Sequence, residues 1–589
     1  MKLKFLLLLI LSGTGLTAAA LQDSPSEQSF VVENDVAVPM RDGVALRADI
    51  LRPHGKGPFP VLVYRTPYGK EFALKEYTTF QHAVERGYAV VVQDVRGRYV
   101  SAGEFRPYEN EGRDGYDTIE WAAHQPWSNG AIGTFGLSYP GAVQWLAAVE
   151  NPPHLKAMVP AMTFSSAQNF FYAGGLWDLS WIEWIWDNIA PDVRTKNSLP
   201  GPKTPDEAVA AWGELGPKMQ GALPLSEVQE LRGIAPYYYD WLKHPFDDPW
   251  WNWCDLRNKY SRVHAAVLNF SAWYDDNYGP EGATTNFAGL LKSRSGATDS
   301  QTHLLIGPWV HGVGSTAKPV AGERTFAPDA AINYDEVILR WMDHYLRGDA
   351  NGVETEKPVR YFVMGTDQWR EAAAWPPASR ETSYYLISPS TGDGRGTLSG
   401  KTPSTKEAST SFVSDPAKPV VNSYNVSGAH DYRDLANRPD VLTFDSAPLE
   451  RDTEVTGPIH AQIYLSCDCR DTDLWVRLLD VASDGTAFNL MSPGLDVLRA
   501  SYRAAKKGRE LFKPQQVYEL HLNNLITSNV FLKGHRIRVQ ISATFFPNFS
   551  RNLQTGELEA SSAGMQKASV SIYTDRRRPS RVVLPVTGQ

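Results

Sequence analysis

The sequence predicts an α/β domain interrupted by a helical insertion and followed by an all-β domain. Three observations carry that reading. Short continuous apolar runs alternate with helical stretches within 21–164 and again within 256–358, the pattern of strands buried on both faces of a parallel sheet. Residues 165–255 are aromatic and helix-like, with no strand alternation. From 359 to 589 apolar and polar side chains alternate between Gly, Pro, Ser and Asp turns, as in antiparallel sheets packed face to face.

Taken in order, Phe59–Tyr64 and Tyr88–Val92 read as buried strands, with a helical stretch from Tyr77 to Arg86 between them. A helix is expected from Asp117 to His124, a short strand over Gly130–Phe135 and a helix from Gly141 to Glu150. In the insertion, Trp177, Trp181 and Trp184 stand at i, i+4 and i+7, one face of a helix. Strand runs resume at Ala265–Phe270 and His303–Ile306, and Tyr334–Arg347 reads as a closing helix stopped by Gly348. In the last region Asp473–Asp480, His535–Ile541 and Ala568–Ile572 alternate with period two.

The chain's 589 residues suggest several domains, and its composition is that of a globular protein. A net charge of −8, with no basic run beyond Arg576–Arg578, argues against nucleic acid as a partner. Lys2 and Lys4 precede the apolar run Phe5–Leu11, and Ala18–Ala20 follow. That order describes a signal peptide over 1–20, cleaved on export to the periplasm or medium, with no membrane segment afterwards. The three cysteines, Cys254, Cys467 and Cys469, cannot all pair within one chain. A bridge between Cys467 and Cys469 would span one residue, and the sequence leaves the pairing open. No Cys/His cluster has metal spacing, so neither metal nor cofactor is expected. Whether the chain is a monomer or a homo-oligomer is also left open.

The chemistry centres on Gly136-Leu137-Ser138-Tyr139-Pro140-Gly141, where a strand enters, a helix leaves and Ser138 sits at the turn. The usual nucleophile elbow is G-x-S-x-G. Here Pro stands two residues after the serine and Gly three after. α/β-Hydrolases order their triad Ser, acid, His along the chain. The run Ala266–Phe270 leads into Asp275-Asp276, either of which could be the acid, and His303–Ile306 leads into His311. Both candidates thus fall just past strand ends, where open α/β sheets build their sites. His303 is a rival base, read as structural because it opens a strand.

Further motifs span nearly the whole chain: Met40-Arg41-Asp42-Gly43, Arg65-Thr66-Pro67-Tyr68, Gln93-Asp94-Val95-Arg96-Gly97-Arg98, Asp114-Gly115-Tyr116-Asp117, Trp273-Tyr274-Asp275, Gly307-Pro308-Trp309-Val310-His311 and Asp471-Thr472-Asp473. With the serine motif they resemble the cocaine esterase/X-Pro dipeptidyl-peptidase group of α/β-hydrolases, which includes α-amino acid ester hydrolases and glutaryl cephalosporin acylases. The resemblance implies an α/β-hydrolase domain with a helical cap and a C-terminal jelly roll. It also implies Ser138 as nucleophile, His311 as base and Asp275, directly after Trp-Tyr, as the acid. Tyr68 would donate its hydroxyl to the oxyanion, together with the backbone N–H of Tyr139.

Phe170, Phe171, Trp177, Trp181 and Trp184 of the insertion, with Trp309, are expected to line an apolar acyl pocket. In α-amino acid ester hydrolases, acids two and three positions after the catalytic aspartate bind the substrate ammonium. Those positions here are Asn277 and Tyr278, leaving Asp276 as the nearby acid. The expected partner is a small-molecule ester or amide. Amide hydrolysis, including X-Pro cleavage and β-lactam acylation, is the second expectation, and a non-catalytic ligand-binding protein the third.

Overall fold

The computed structural model describes residues 30–166, 171–275, 279–294, 301–389, 395–424, 427–492, 496–504 and 508–588. The expected signal peptide, Phe170 and Asp276 lie outside them.

The first domain is built on a ten-stranded sheet. Its strands are β1 (Phe30–Pro39), β2 (Ala45–Pro53), β3 (Phe59–Thr66), β4 (Ala89–Asp94), β5 (Ser128–Leu137), β6 (Leu155–Ala161), β7 (Ala266–Tyr274), β8 (Thr302–Val310), β9 (Val359–Val363) and β10 (Gln368–Ala372). They lie in the order β1-β2-β4-β3-β5-β6-β7-β8-β9-β10. β3 to β9 are parallel, and antiparallel pairs close both edges. Successive side chains of a strand face opposite ways. Val61 and Val63 therefore enter the core under helices α3 (Glu111–Ala123) and α4 (Tyr139–Ala148), while Leu62 and Tyr64 enter the core under α1 (Lys70–Glu76) and α2 (Thr79–Glu85). Burial on both faces explains why these strands read as unbroken apolar runs.

Two expectations need correction. The all-β domain does not begin at 359, because β9 pairs with β8 and β10 with β9, completing the first sheet. Strand alternation names a strand but not the sheet it joins. The insertion is also not purely helical. Tyr172–Ala173 and Leu176–Trp177 form a hairpin whose turn, Gly174-Gly175, has φ of 53° and 93° at its centre. Two glycines are what such a turn selects. A Cβ on Gly174 would also sit 2.0 Å from the Val497 carbonyl oxygen. Trp177 thus belongs to the hairpin, and the helix carrying Trp181 and Trp184, α5, runs Ser180–Trp184. A π-helical turn, Ile185–Ile189, continues it.

The C-terminal domain is all-β, a twelve-stranded sheet folded over its own apolar core. Its longest pairing joins Thr453–Cys467 to Tyr518–Phe531. Asp473–Val481 is buried along its full length. Leu474, Val476 and Leu478 face that core, while Trp475, Leu479 and Val481 pack in a second cluster with Leu176 of the insertion. The insertion is thereby clamped between the two domains. Cys467 and Cys469 form a disulfide, their Cα atoms 5.2 Å apart, and Cys254 is a buried free thiol.

Candidate active site

Ser138 is the single residue between β5 and α4, at φ 69° and ψ −128°. A residue with a side chain adopts positive φ only when its surroundings hold it there. Here the Ser138 amide donates to the Ala161 carbonyl of β6 at 3.0 Å, and its carbonyl accepts from the Gly141 and Ala142 amides, each at 2.9 Å. A Cβ on Gly136 would come 2.5 Å from the Pro140 Cβ, and one on Gly141 would come 2.5 Å from the Ala161 oxygen. The close crossing of helix over strand thus falls three residues after the serine, not two. Pro140 is accommodated because the first turn of a helix does not use its amides.

Asp275 follows β7 and is fully buried; His311 follows β8. His311 Nδ1 lies 2.8 Å from Asp275 Oδ1. Ser138 and His311 line one cleft of about 440 Å³. Tyr68 lines it as well, on the loop after β3, and its hydroxyl contacts Ser138 while accepting from Trp184 Nε1 at 3.1 Å. Burial raises the Tyr68 phenol above its ordinary value, and its hydrogen bonds with Trp184 and Ser138 pull the other way. The Tyr139 amide opens α4, among the amides a helix leaves without an internal partner. The Tyr139 side chain points away into the protein. Its hydroxyl donates to Glu111 Oε1 at 2.8 Å and accepts from the Tyr108 amide at 3.1 Å. Glu111 in turn pairs with buried Arg65 at 2.9 Å. Burial, the larger influence, raises the Glu111 carboxyl against the pull of that guanidinium.

The aromatic lining differs from the expectation. Phe171, Trp177 and Trp181 are buried in the core beneath the insertion, where Phe171 stacks on Trp181 at 4.9 Å and packs on Trp251 at 4.4 Å. Trp309 is buried too, stacked on Phe270 and donating Nε1 to the Ala330 carbonyl at 2.8 Å. Of the described aromatics in that set, Trp184 reaches the cleft. The other aromatic walls are Tyr64, Phe72, Tyr77 and Tyr99. Tyr64 lies in β3 and the others in the segments after β3 and β4, and nothing in the sequence marks these rings as pocket. His303 is buried at the start of β8 beside Trp341, at the opposite end of the strand from His311.

Sequence reasoning missed Arg98. Its side chain is fully buried, with Nε donating to the Pro67 carbonyl at 2.8 Å, Nη1 to Ile189 at 3.1 Å and Nη2 to Asn188 at 2.9 Å. Asp192 lies 3.3 Å from Nη1. One guanidinium thus ties the Tyr68 loop to the π-helical turn after Trp184. The signal was a charged residue in the Gln93–Arg98 run, but nothing in the sequence says where its guanidinium points.

A serine on a strained strand-to-helix turn, an Asp–His pair on the next strand ends and a 1-2-4-3-5-6-7-8 strand order define an α/β-hydrolase built for serine chemistry. The X-Pro dipeptidyl-peptidase (S15) family matches residues 42–313, and the X-Pro dipeptidyl-peptidase C-terminal non-catalytic domain matches 351–583. The cocaine esterase of Rhodococcus sp. (strain MB1 Bresler) is 34% identical over 582 residues, covering 95% of this chain and 99% of that one. A putative serine esterase of Mycobacterium bovis is 26% identical, covering 93% and 94%. The chain belongs to this family and is a serine hydrolase of the CocE/NonD type. Two solved structures share its fold. An α-amino acid ester hydrolase superposes with TM-score 0.80 at 24% identity, covering 97% of this chain and 100% of that one. An aminopeptidase from a marine sediment Thaumarchaeota archaeon superposes with TM-score 0.79 at 23% identity, covering 98% and 100%.

Proposed function

We propose that the protein is an exported carboxylesterase that forms an acyl-enzyme on Ser138, with His311 as base and Asp275 as the orienting acid. The observation that carries this reading is the meeting of the strained serine, the Asp275-paired imidazole and the Tyr68 hydroxyl at one aromatic cleft. His311 takes the Ser138 proton as the oxygen attacks a carbonyl, and Asp275 fixes the tautomer and stabilises the imidazolium. Tyr68 O–H and Tyr139 N–H donate to the oxyanion, and Trp184 Nε1–H, donating to the same phenol oxygen, orients the Tyr68 proton. His311 protonates the leaving group, and water then repeats the sequence in reverse.

Apolar, aromatic esters suit the walls of the cleft. Among the described residues lining it, the one carboxylate is Glu76, on the exposed side of α1. That favours esters over substrates needing an anionic clamp for a free amine. The name of the Rhodococcus relative supports the ester reading, and the X-Pro dipeptidyl-peptidase match keeps amides as the second. Export rests on the charged, apolar and small-residue order over 1–20. A disulfide between Cys467 and Cys469 suits an oxidising compartment. N-terminal sequencing of the mature protein should begin at Leu21.

The deciding experiment pairs fluorophosphonate labelling with p-nitrophenyl ester and aminoacyl-anilide assays. The wild type should label at Ser138 and turn over the ester faster. Ser138→Ala should lose the label, with kcat falling by about 10⁶. Labelling that survives the substitution overturns the assignment of the nucleophile, and faster anilide turnover overturns the ester reading.

A further inference from the structure

At the opposite end of the sheet from the cleft, Glu120, His124 and His154 converge. Glu120 lies in the last turn of α3, His124 just after it, and His154 just before β6. One ligand atom from each lies within 4.8 Å of the others. His154 Nδ1 sits 2.7 Å from Glu120 Oε2, the His154 amide donates to Glu120 Oε1 at 3.3 Å, and the two imidazoles meet edge-on at 5.1 Å. We propose that this cluster is a binding site for a divalent transition metal of the zinc class, separate from the esterase cleft.

Three features support the assignment. Two imidazoles and a carboxylate are the donor set of three-ligand zinc sites, which leave a fourth position to water. Imidazole also selects such metals over magnesium or calcium. His124 Nδ1 is held 2.7 Å from the Glu120 carbonyl, which fixes that nitrogen as the N–H and leaves Nε2 its lone pair. A ring locked by a backbone carbonyl is the usual support of a metal-bound histidine. Finally, the groups are wet enough to take up an ion: the Glu120 and His154 side chains are 18% and 34% exposed, and His124 is exposed. Tetrahedral zinc at bond lengths near 2.1 Å places its ligands about 3.4 Å apart. The His154–Glu120 gap of 2.7 Å must therefore widen by about 0.7 Å, and His124 must close in, movements that partly exposed side chains make by rotation. Glu120 and His124 are one helical turn apart, but His154 lies far along the chain, so no short spacing motif marks all three.

A bound ion would tie the end of α3 to the loop before β6 and stabilise the folded chain by mass action. The test uses the full chain stripped with EDTA. Zn²⁺ is titrated against a chromophoric chelator, and thermal unfolding is followed with and without metal. One equivalent of Zn²⁺ should bind, Mg²⁺ should not compete, and saturating Zn²⁺ should raise Tm. His124→Ala and His154→Gln should each weaken binding at least about tenfold and abolish the rise. Undiminished Zn²⁺ binding in both variants, or no bound zinc in the wild type, overturns the proposal. Should His154→Gln fail to fold, the exposed His124 decides alone.

Discussion

Two histidine–carboxylate pairs lie at opposite ends of the same parallel sheet. At the C-terminal end His311 Nδ1 is 2.8 Å from Asp275 Oδ1, and at the N-terminal end His154 Nδ1 is 2.7 Å from Glu120 Oε2. Distance does not separate them. Asp275 is fully buried and Glu120 is 18% exposed. A buried carboxylate beside an imidazole acts in a medium where charge interactions are far stronger than in water. The second difference is the neighbour. His311 shares a cleft with a serine forced to positive φ, while His154 faces a second imidazole. A hydrogen-bonded pair becomes a candidate for acyl transfer where burial and a pre-placed nucleophile coincide, and a candidate for metal where a second nitrogen and solvent do.

The comparison breaks most sharply at Asp275. Asp275→Asn should lower kcat by about 10⁴ with little change in KM, because the asparagine holds the ring in the wrong tautomer. Steady-state kinetics with an activated ester checks this, and a loss below tenfold would make the buried pair no different from its exposed counterpart. Tyr68→Phe should lower kcat by about 10²–10³ if the hydroxyl donates to the oxyanion. An unchanged rate would remove Tyr68 from the mechanism.

Arg98→Ala should destabilise the chain by about 2–3 kcal/mol, since it takes their donor from the buried carbonyls of Pro67, Asn188 and Ile189, while Asp192 keeps Lys196 at 3.2 Å and the Tyr99 amide at 3.1 Å. Denaturant unfolding reads this, and a rise in KM beyond the stability loss would show the guanidinium also sets the cleft's shape.

The smallest effect is expected at Asp187, on the π-helical turn beside Asn188, where burial, with the Glu183 charge adding to it, pushes the carboxyl up to about 7. The folded state then holds the proton more tightly than the unfolded chain, whose carboxyl titrates near 4. Stability from this group is complete below about pH 4 and lost as pH rises toward about 7. Asp187→Asn should therefore match the wild type in Tm at pH 4 and exceed it at pH 8. Parallel Tm profiles for the two proteins would refute the shift.

Much of the fold was legible because its signals are local. Val61–Val63 and Val90–Val92 are apolar without a break, which requires cover on both faces, and the helices between them supply it. Ser138, His311 and an acid at Asp275-Asp276 could be nominated because each follows a strand in the order the fold class uses, and the family resemblance chose Asp275. The pocket could not. Trp177, Trp181 and Trp309 look the same in sequence whether they line a cleft or fill a core, since burial of an aromatic ring is favourable in both places. Val359–Val363 alternates like its neighbours, and its membership in the first sheet depends on a pairing with β8 some fifty residues away.

The sequence by itself determined the layered architecture, the strained serine turn and the chain positions of the proposed triad, because periodicity and turn chemistry act over a few residues. Only the tertiary structure decided which aromatics face the cleft, where the Arg98 guanidinium binds and that Glu120, His124 and His154 meet. Those outcomes depend on which distant segments share a surface, and a side chain's surroundings are set by packing rather than by its neighbours along the chain.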